Sequence, residues 1–262
     1  MFLGKTGPAL RRAYQTAVSK ADIAKRSAAY EAVNQCLNSS ALNRRVVGLG
    51  SGTTIEFAIE RIKQRKELHD LIFIPTSFQT QQLILKNKLR LGSLNEHPVV
   101  DLTIDGADEV DPKLNAIKGG GACLFQEMLV ARASERFILI ADERKQSRQL
   151  GTQWTRGIPV EVMPMALTTV TRQLKSVLPS DATVKLRMAT PTDKAGPVVT
   201  DNGNFILDCQ TTIHDPALLY KEMKLLTGVL EVGLFCNMAE AAYFGSLDSD
   251  SVEVWKAQKK RC

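Results

Sequence analysis

Short apolar runs alternate with stretches of helical periodicity over the first 150 residues of the chain. The apolar runs end in glycine, proline or polar residues and predict four strands, at 45–50, 71–75, 102–104 and 137–142. Apolar residues at helical spacing predict helices before, between and after them, at 21–38, 53–62, 78–88 and 122–135. Strands that alternate with helices predict an α/β fold with a doubly wound, mostly parallel, Rossmann-like sheet that has helices on both faces.

The order of elements changes near residue 157. Strands are predicted at 159–162, 184–188, 198–207 and 229–235, and helices at 165–177 and 215–226. The resulting βαββαβ order is typical of a ferredoxin-like α+β unit, and the Asn-Gly pair at 202–203 predicts a hairpin within it. We therefore expect a smaller ferredoxin-like domain, 157–235, inserted into a Rossmann-like catalytic domain made of 21–156 and 236–262, after a basic N-terminal extension, 1–20.

The net charge of +6 is unevenly distributed along the chain. Residues 1–45 hold eight basic and two acidic residues, and residues 251–262 hold four basic and one acidic residue. The stretch 46–250 holds 22 basic and 25 acidic residues, so the folded body is slightly acidic. A nucleic-acid-binding protein is expected to carry a basic face on its folded body. The distribution argues against a nucleic-acid partner and favours solvated basic ends.

The composition indicates a folded protein of one or two domains. The chain has 262 residues, of which 44% are hydrophobic and 24% charged, and it contains no apolar run long enough to predict a membrane span. Five cysteines without a CxxC pair and three isolated histidines predict neither a disulfide framework nor a metal site. Reduced thiols indicate a cytoplasmic protein. The first 21 residues lack acidic residues, so a mitochondrial leader stays open beside a simple extension.

Three glycine-rich or acidic segments end predicted strands or open predicted helices, and they are expected at the carboxyl edge of the sheet, where ligands bind. The first is Gly48-Leu49-Gly50-Ser51-Gly52-Thr53-Thr54. Its backbone N–H groups and hydroxyls open a helix whose dipole favours an anion. It matches neither GxGxxG nor the P-loop pattern with a lysine after the last glycine, which disfavours a dinucleotide or a nucleoside triphosphate. A single phosphate fits the segment, and a turn that serves only helix packing is the alternative.

The second segment places four carboxylates within seven residues, at Asp105, Asp108, Glu109 and Asp111. Two of them could bind a divalent cation through oxygen ligands, although the EF-hand spacing is absent and Lys118 lies nearby. Paired carboxylates could instead hold sugar hydroxyls and move a proton. A solvated acidic turn is the simplest interpretation of the pattern alone.

The third segment runs from Lys118 through Gly119, Gly120 and Gly121 to Glu127. Three consecutive glycines cost chain entropy, which favours a close approach of the backbone to a ligand over a merely flexible turn. Lys118 places a cation at this loop. Glu127 falls near the start of the following helix beside apolar residues, where its pKa is subject to opposing effects, although an exposed helical glutamate is also consistent with the pattern.

Eight motifs stand in an order that is specific to one enzyme family: GLGSGTT, PTSFQ, DGADEVD, KGGGACLFQE, IADERK, GIPVEVMPMA, VVTDNGNFILD and GVLEVGLF. Through them the chain resembles ribose-5-phosphate isomerase of the A type over roughly residues 20–250, and the animal-type enzymes in particular. The resemblance implies that D-ribose 5-phosphate and D-ribulose 5-phosphate are interconverted through an enediolate, in the non-oxidative pentose phosphate pathway. It implies no cofactor and no metal, and a homo-oligomer, either a dimer or a tetramer.

The resemblance also implies roles for individual residues. Glu127 matches the catalytic base, and Asp105, Asp108 and Lys118 match the residues that act on the sugar with it. The substrate-binding residues that match are Lys25, Ser51, Gly52, Thr53, Thr54, Gly106, Ala107, Gly119, Gly120, Gly121 and Lys145. Phe125 and Met128 stand where the family usually has threonine and lysine, so these departures concern the positioning and the pKa of Glu127.

Two other functions stay open at this point. The first is another sugar-phosphate reaction on the same fold, such as an isomerisation or the deamination of an amino-sugar phosphate. The second is a sugar-phosphate-sensing module without turnover. The intact set of Asp105, Asp108, Lys118 and Glu127 argues against a sensor, which has no need of a base.

Overall fold

A computed structural model describes residues 19–37 and 42–257 of the chain. The predicted basic N-terminal extension lies outside the described residues except for its last two positions. Cys262 and three of the four basic residues of the C-terminal end also lie outside them. Among the described residues, no helix is long and apolar enough to cross a membrane. The other four cysteines, Cys36, Cys123, Cys209 and Cys236, are free thiols.

The regular elements agree closely with the expected order. The helices are α1 (Lys20–Cys36), α2 (Thr53–Gln64), α3 (Phe78–Lys86), α4 (Leu124–Arg132), α5 (Leu167–Val177) and α6 (Pro216–Lys224). The strands are β1 (Val46–Leu49), β2 (Ile72–Pro75), β3 (Arg90–Leu91), β4 (Val100–Gly106), β5 (Glu109–Val110), β6 (Ala116–Ile117), β7 (Ser134–Asp142), β8 (Ile158–Val162), β9 (Thr183–Leu186), β10 (Phe205–Gln210), β11 (Val229–Val232), β12 (Leu234–Phe235), β13 (Ala241–Gly245) and β14 (Val252–Lys256).

The main sheet of the described residues has seven strands in the order β14-β13-β7-β4-β1-β2-β3. All neighbouring pairs are parallel except β13 and β14. The chain moves from β1 outward to β2 and β3 on one side, and from β4 outward to β7 and β13 on the other. The switch point between β1 and β4 is where a ligand cleft forms in such a sheet. The mostly parallel α/β class is confirmed.

Apolar residues on both faces of the sheet explain its burial. On β7, Ile138 and Ile140 pack with Ala28 and Ala32 of α1 on one face. The alternate residues of β7, including Phe137, join a second apolar cluster on the other face. Because both faces are covered, the inner strands contain short apolar runs, which predicted them, although β4 also carries the buried polar residues Asp101, Thr103 and Asp105.

Between β7 and β13 the chain forms a separate antiparallel sheet with the order β11-β8-β10-β9. With α5 and α6 these strands follow the predicted βαββαβ order. The strands β12, β6 and β5 form a third, three-stranded sheet. The expected domain limits at 157 and 235 stay a prediction.

The prediction of one continuous strand over 229–235 is wrong. The strand is divided at Gly233, whose N–H donates to the carbonyl of Pro159 (2.7 Å) and whose carbonyl accepts from the N–H of Lys118 (3.0 Å). A Cβ atom at this glycine would lie 2.2 Å from the carbonyl oxygen of Lys118. The close approach transfers the chain from the four-stranded sheet to the three-stranded sheet, and so fixes the backbone of Lys118.

Two other elements differ in extent from the expectation. The helix predicted over 122–135 is α4, Leu124–Arg132, because Ala122 has a left-handed φ of 60° that prevents an earlier start. The strand predicted over 198–207 begins only at Phe205, and Val199 pairs with Phe205 by a single bridge. The intervening reversal, closed by a hydrogen bond from Thr200 N–H to the Asn204 carbonyl (2.9 Å), confirms the hairpin signal.

We expect the substitution Gly245→Ala to lower the free energy of unfolding by about 1–3 kcal/mol. A Cβ atom there would lie 1.8 Å from the backbone carbonyl of Ala24, so α1 would have to move away from β13. Chemical denaturation measures the change. The matched control is Gly121→Ala, since nothing lies within 4 Å of a Cβ atom at that position. Equal stabilities of the two variants would contradict this close packing.

Candidate active site

A cavity of about 270 Å³ opens at the switch point, where β1 and β4 end. All three segments singled out in the sequence contribute to its walls. The predicted site residues that line it are Lys25, Ser51, Gly52, Thr53, Thr54, Gly106, Ala107, Asp108, Lys118, Gly119, Gly120, Gly121, Glu127 and Lys145. Asp105 is fully buried at the same place and contacts Lys118. The fold therefore brings together residues that lie up to 120 positions apart in the chain.

One end of the cavity has the features of an anion site. Helix α2 begins at Thr53 after Gly52, whose φ of 93° turns the chain sharply, so the N-terminus of the helix faces the cavity. Lys25 of α1 donates to the hydroxyl of Thr53 (3.1 Å). Thr54 and Lys145 line the same cavity. Lys25, the hydroxyls and the helix N-terminus together favour a phosphate group, while the ammonium of Lys145 lies over the ring of Trp154 (5.4 Å).

The other end holds a buried cluster of opposite charges. The ammonium of Lys118 lies 3.0 Å from Oδ2 of Asp105 and 3.2 Å from Oε1 of Glu127, and donates to the carbonyl of Gly106 (2.6 Å). The exposed fractions of Lys118, Asp105 and Glu127 are 2%, 0% and 5%. One ammonium therefore serves two carboxylates, and Oε2 of Glu127 has no hydrogen-bond partner among the described residues.

The charges in this cluster shift one another's ionisation. Burial raises the pKa of Glu127 to about 8; the charge of Lys118 opposes this shift, and the charge of Asp105 adds to it. Burial also raises the pKa of Asp105. For Lys118 burial alone would lower the pKa, but the charges of Asp105 and Glu127 outweigh it and raise it. The cluster thus holds a permanent cation beside a carboxylate that binds a proton near neutral pH.

The glycine run is held against its neighbours. The N–H of Gly120 donates to Oδ2 of Asp108 (2.7 Å), and a Cβ atom at Gly120 would lie 2.5 Å from that carboxylate. Arg187, which is paired with Asp208, donates to the carbonyls of Gly119 (2.9 Å) and Gly120 (3.2 Å). A merely flexible turn is therefore the wrong interpretation of the run.

The acidic segment is not a solvated turn. Glu109 is fully buried and accepts hydrogen bonds from the N–H groups of Gly151, Thr152 and Gln153. Asp111 is also buried and accepts from the N–H of Lys113 and of Asn115. These two acids have structural roles, while Asp105 and Asp108 lie at the cavity. In the described part of the chain, no group of three or more His, Cys, Asp or Glu side chains is arranged to hold a metal ion.

The cavity also has walls that the sequence reasoning missed, at Gln79, Cys123, Ala141, Asp142 and Arg144. Asp142 ends β7, so its position at the carboxyl edge of the sheet was a usable signal. It holds Arg144 through two hydrogen bonds of 2.6 and 3.0 Å. Gln79 in the first turn of α3 accepts from the N–H of Gly52, which precedes α2 (3.0 Å), and no local pattern indicates this contact. Burial raises the pKa of Cys123 to about 12, so its thiol stays neutral.

The two departures from the family pattern lie away from the cavity walls. Met128 is buried in the apolar cluster that also contains Phe137 and Phe235. Phe125 is half-buried and does not line the cavity.

A larger groove, of about 570 Å³, lies beside α3 and α4. Its charged lining residues in the described chain are the acids Glu96 and Asp201, so it lacks a cation for a phosphate.

Comparison with known proteins gives a consistent result. The family model described as Ribose 5-phosphate isomerase A (phosphoriboisomerase A) matches residues 72–249. The ribose-5-phosphate isomerase of Eremothecium gossypii is 51% identical over 87% of this chain and 91% of its own length. That of Homo sapiens is 50% identical over 88% of this chain and 73% of its own length.

Solved structures agree with the sequence comparison. A D-ribose-5-phosphate isomerase in complex with phospho-erythronic acid superposes with a TM-score of 0.80 at 35% identity, over 88% of this chain and 97% of its own. Ribose 5-phosphate isomerase A of Methanocaldococcus jannaschii gives a TM-score of 0.79 at 34% identity, over 90% and 98%. The resemblance seen in the motifs is thus confirmed, and the chain belongs to the ribose 5-phosphate isomerase A family.

Proposed function

We propose that this cavity interconverts D-ribose 5-phosphate and D-ribulose 5-phosphate, with Glu127 as the base that moves the proton. The proposal rests on one observation: the buried cluster of Glu127, Lys118 and Asp105 lies at the same cavity as a site suited to a phosphate group. An aldose–ketose isomerisation requires a base near two adjacent carbons, and a phosphate held at a distance supplies binding energy that orients them.

The chemical step is a proton transfer between C2 and C1 of the open-chain sugar. The carboxylate of Glu127 takes the proton from C2, and the electron pair moves to the C1 carbonyl oxygen to give an enediolate. Glu127 then returns the proton to C1, while the proton of the C2 hydroxyl passes to the oxygen on C1, leaving a ketone at C2. A carboxylate whose pKa is raised by burial is a stronger base for this step than an exposed glutamate.

Lys118 would stabilise the enediolate by its charge. Its ammonium donates to the Gly106 carbonyl and lies 3.0 Å from Oδ2 of Asp105 and 3.2 Å from Oε1 of Glu127. When Glu127 takes the proton it loses its charge, and the Lys118 cation is then free to offset the charge that appears on the substrate. Backbone N–H groups of the glycine run would add to this effect.

Asp108 would hold sugar hydroxyls and assist ring opening, whereas Asp105 would act through Lys118. Asp108 lines the cavity directly. Asp105 is buried and accepts hydrogen bonds from the N–H groups of Ser51 and Gly106. It does not line the cavity itself, but it contacts Lys118, which does. Asp105 would therefore act chiefly by keeping the Lys118 ammonium charged and in place.

The phosphate would bind at the N-terminus of α2, beside Lys25 and against Thr54, in the cavity that Lys145 also lines. A solved relative is in complex with phospho-erythronic acid, which carries a phosphate at one end and a carboxylate at the other. That ligand resembles an enediolate in having delocalised negative charge near one end. The same two kinds of recognition, for a phosphate and for a second anion, are available at the two ends of this cavity.

The comparisons do not favour the other two functions. Deamination of an amino-sugar phosphate predicts release of ammonia, and a sensing module predicts binding without turnover. A coupled assay for ribulose 5-phosphate, together with a test for ammonia release from an amino-sugar phosphate, therefore distinguishes the three functions. We propose further that the chain works in the cytoplasm as a homo-oligomer and without a cofactor. Gel filtration with light scattering would measure the oligomeric state.

Replacing the base should nearly abolish turnover. We expect Glu127→Gln to lower kcat by about 10²–10⁴-fold, the usual contribution of a general base. Isomerisation is followed by the coupled assay, and circular dichroism checks that the variant is folded. The matched control is Glu222→Gln, an exposed glutamate on α6, which should keep full activity. A folded Glu127→Gln enzyme with near-normal kcat would exclude Glu127 as the base.

The pH dependence should follow the ionisation of Glu127. The base must be ionised to accept a proton, so kcat/KM should fall as the pH decreases through the pKa of Glu127, about 8. Since the charge of Asp105 raises that pKa, Asp105→Asn should move the acid limb to lower pH, whatever it does to the maximal rate. Asp193→Asn, in an exposed turn, should leave the limb in place. An unmoved limb in Asp105→Asn would disprove the coupling.

Loss of a phosphate contact should change affinity more than turnover. We expect Thr54→Ala to raise KM by about 10–100-fold, the equivalent of one hydrogen bond to a charged group, with little change in kcat. The reason is that the phosphate is held equally in the ground state and in the transition state. Thr168→Ala, on the exposed side of α5, is the control. An unchanged KM in Thr54→Ala would contradict the placement of the phosphate.

A further inference from the structure

The hairpin turn at 200–204 belongs to the region of the four-stranded sheet but contacts two helices of the active site. Oδ2 of Asp201 accepts from the N–H of Phe78, the first residue of α3 (2.8 Å). Oδ1 of Asn202 accepts from the side-chain amide of Gln126 in the first turn of α4 (3.0 Å). Asp201 and Asn202 are exposed, so burial does not require these contacts.

A buried carboxylate beneath the turn fixes its shape. Glu161 of β8 is fully buried, and its Oε1 accepts from the hydroxyl of Thr200 (2.9 Å) and from the amides of Asn202 (3.1 Å) and Asn204 (2.9 Å). The Thr200 hydroxyl accepts in turn from the backbone N–H of Asn202 (3.2 Å). A buried carboxylate is costly without donors, and here three side chains of one short turn donate to Oε1, while Oε2 has no hydrogen-bond partner among the described residues.

Each of the two residues that the turn contacts is followed in the sequence by a residue that lines the cavity. Gln126 precedes Glu127, whose carboxylate lies 3.2 Å from Lys118. Phe78 precedes Gln79, whose side chain accepts from the N–H of Gly52 at the start of α2. The amide of Asn202 is oriented by Glu161 on its nitrogen side, and so presents its oxygen to Gln126. The turn thus connects β8 to the base helix through Asn202 and to the phosphate loop through Asp201.

We propose that Glu161, Asp201 and Asn202 are positioning residues for the isomerisation, with the Glu161-ordered turn holding Glu127 through Asn202 and the phosphate loop through Asp201. The proposal rests on the proposed role of Glu127 as the base. Its physical reason is that a small displacement of a base or of a bound substrate is costly for the rate. Neither Asp201 nor Asn202 lines the cavity, so both would act through other residues.

The two contacts predict different kinetic defects. In Asn202→Ala the base helix loses its contact, so kcat should fall by about tenfold with little change in KM. In Asp201→Ala the contact to α3 is lost, so KM should rise by roughly two- to tenfold, the value of one ordinary hydrogen bond, with kcat nearly unchanged. Asp201→Asn keeps an oxygen acceptor for the Phe78 N–H and should restore KM.

The pH profile separates positioning from a general loss of structure. The Lys118 charge lowers the pKa of Glu127, so a looser Lys118–Glu127 contact in Asn202→Ala should move the acid limb of kcat/KM to higher pH. Asp193→Ala is the matched control, because this exposed residue of a neighbouring turn accepts from Thr190 of its own loop. It should show wild-type kcat, KM and pH profile. Thermal unfolding measures the stability of each variant.

Three results would overturn the proposal: wild-type kinetics and pH profile in Asn202→Ala, wild-type kinetics in Asp201→Ala, or equal changes of kcat and KM in both variants. The split described above would support it. Failure of the proposed function is a separate outcome, since it shows as absence of isomerisation in the wild-type enzyme or as retained activity in Glu127→Gln.

Discussion

The buried ammonium of Lys118, shared between the carboxylates of Asp105 and Glu127, is the interaction on which the site depends. Removing two carboxylates and an amine from water is unfavourable unless they contact one another, so β4, β6 and α4 must meet at one point. The backbone N–H of Lys118 donates to the carbonyl of Gly233, a residue far from it in the sequence. The same cluster gives Glu127 its raised pKa and so couples the packing of the fold to its chemistry.

The site is also supported from outside the main sheet. Arg187 holds the carbonyls of the glycine run, and Asp201 and Asn202 of the hairpin turn contact the first turns of α3 and α4. The region of the antiparallel sheet therefore supports the active site, because it contacts the glycine run and the helices α3 and α4 beside a cavity that forms in the main sheet. Catalysis that depends on placing a carboxylate beside a carbon gains from this support.

Local patterns predicted most elements because the inner strands of the main sheet, which is covered on both faces, contain short apolar runs that set them apart from amphipathic helices. The predictions failed where contacts with residues distant in the sequence determine where a strand ends. Nothing near Gly233 shows that the strand over 229–235 divides there, since the cause is the approach of Lys118 and Pro159. The two-residue strands β3, β5 and β6 were missed because they are too short to show a period.

By itself the sequence determined the α/β class, the edge of the sheet where the site forms and the residue types that meet there, because these follow from periodicity, glycine placement and motifs. Local patterns left open whether Glu127 and the acidic segment are exposed, and whether the glycine run is flexible. Only the tertiary structure decided these points. Burial and the distance between charges depend on chain segments far apart in sequence, and they turn an ordinary glutamate into a carboxylate with a pKa of about 8.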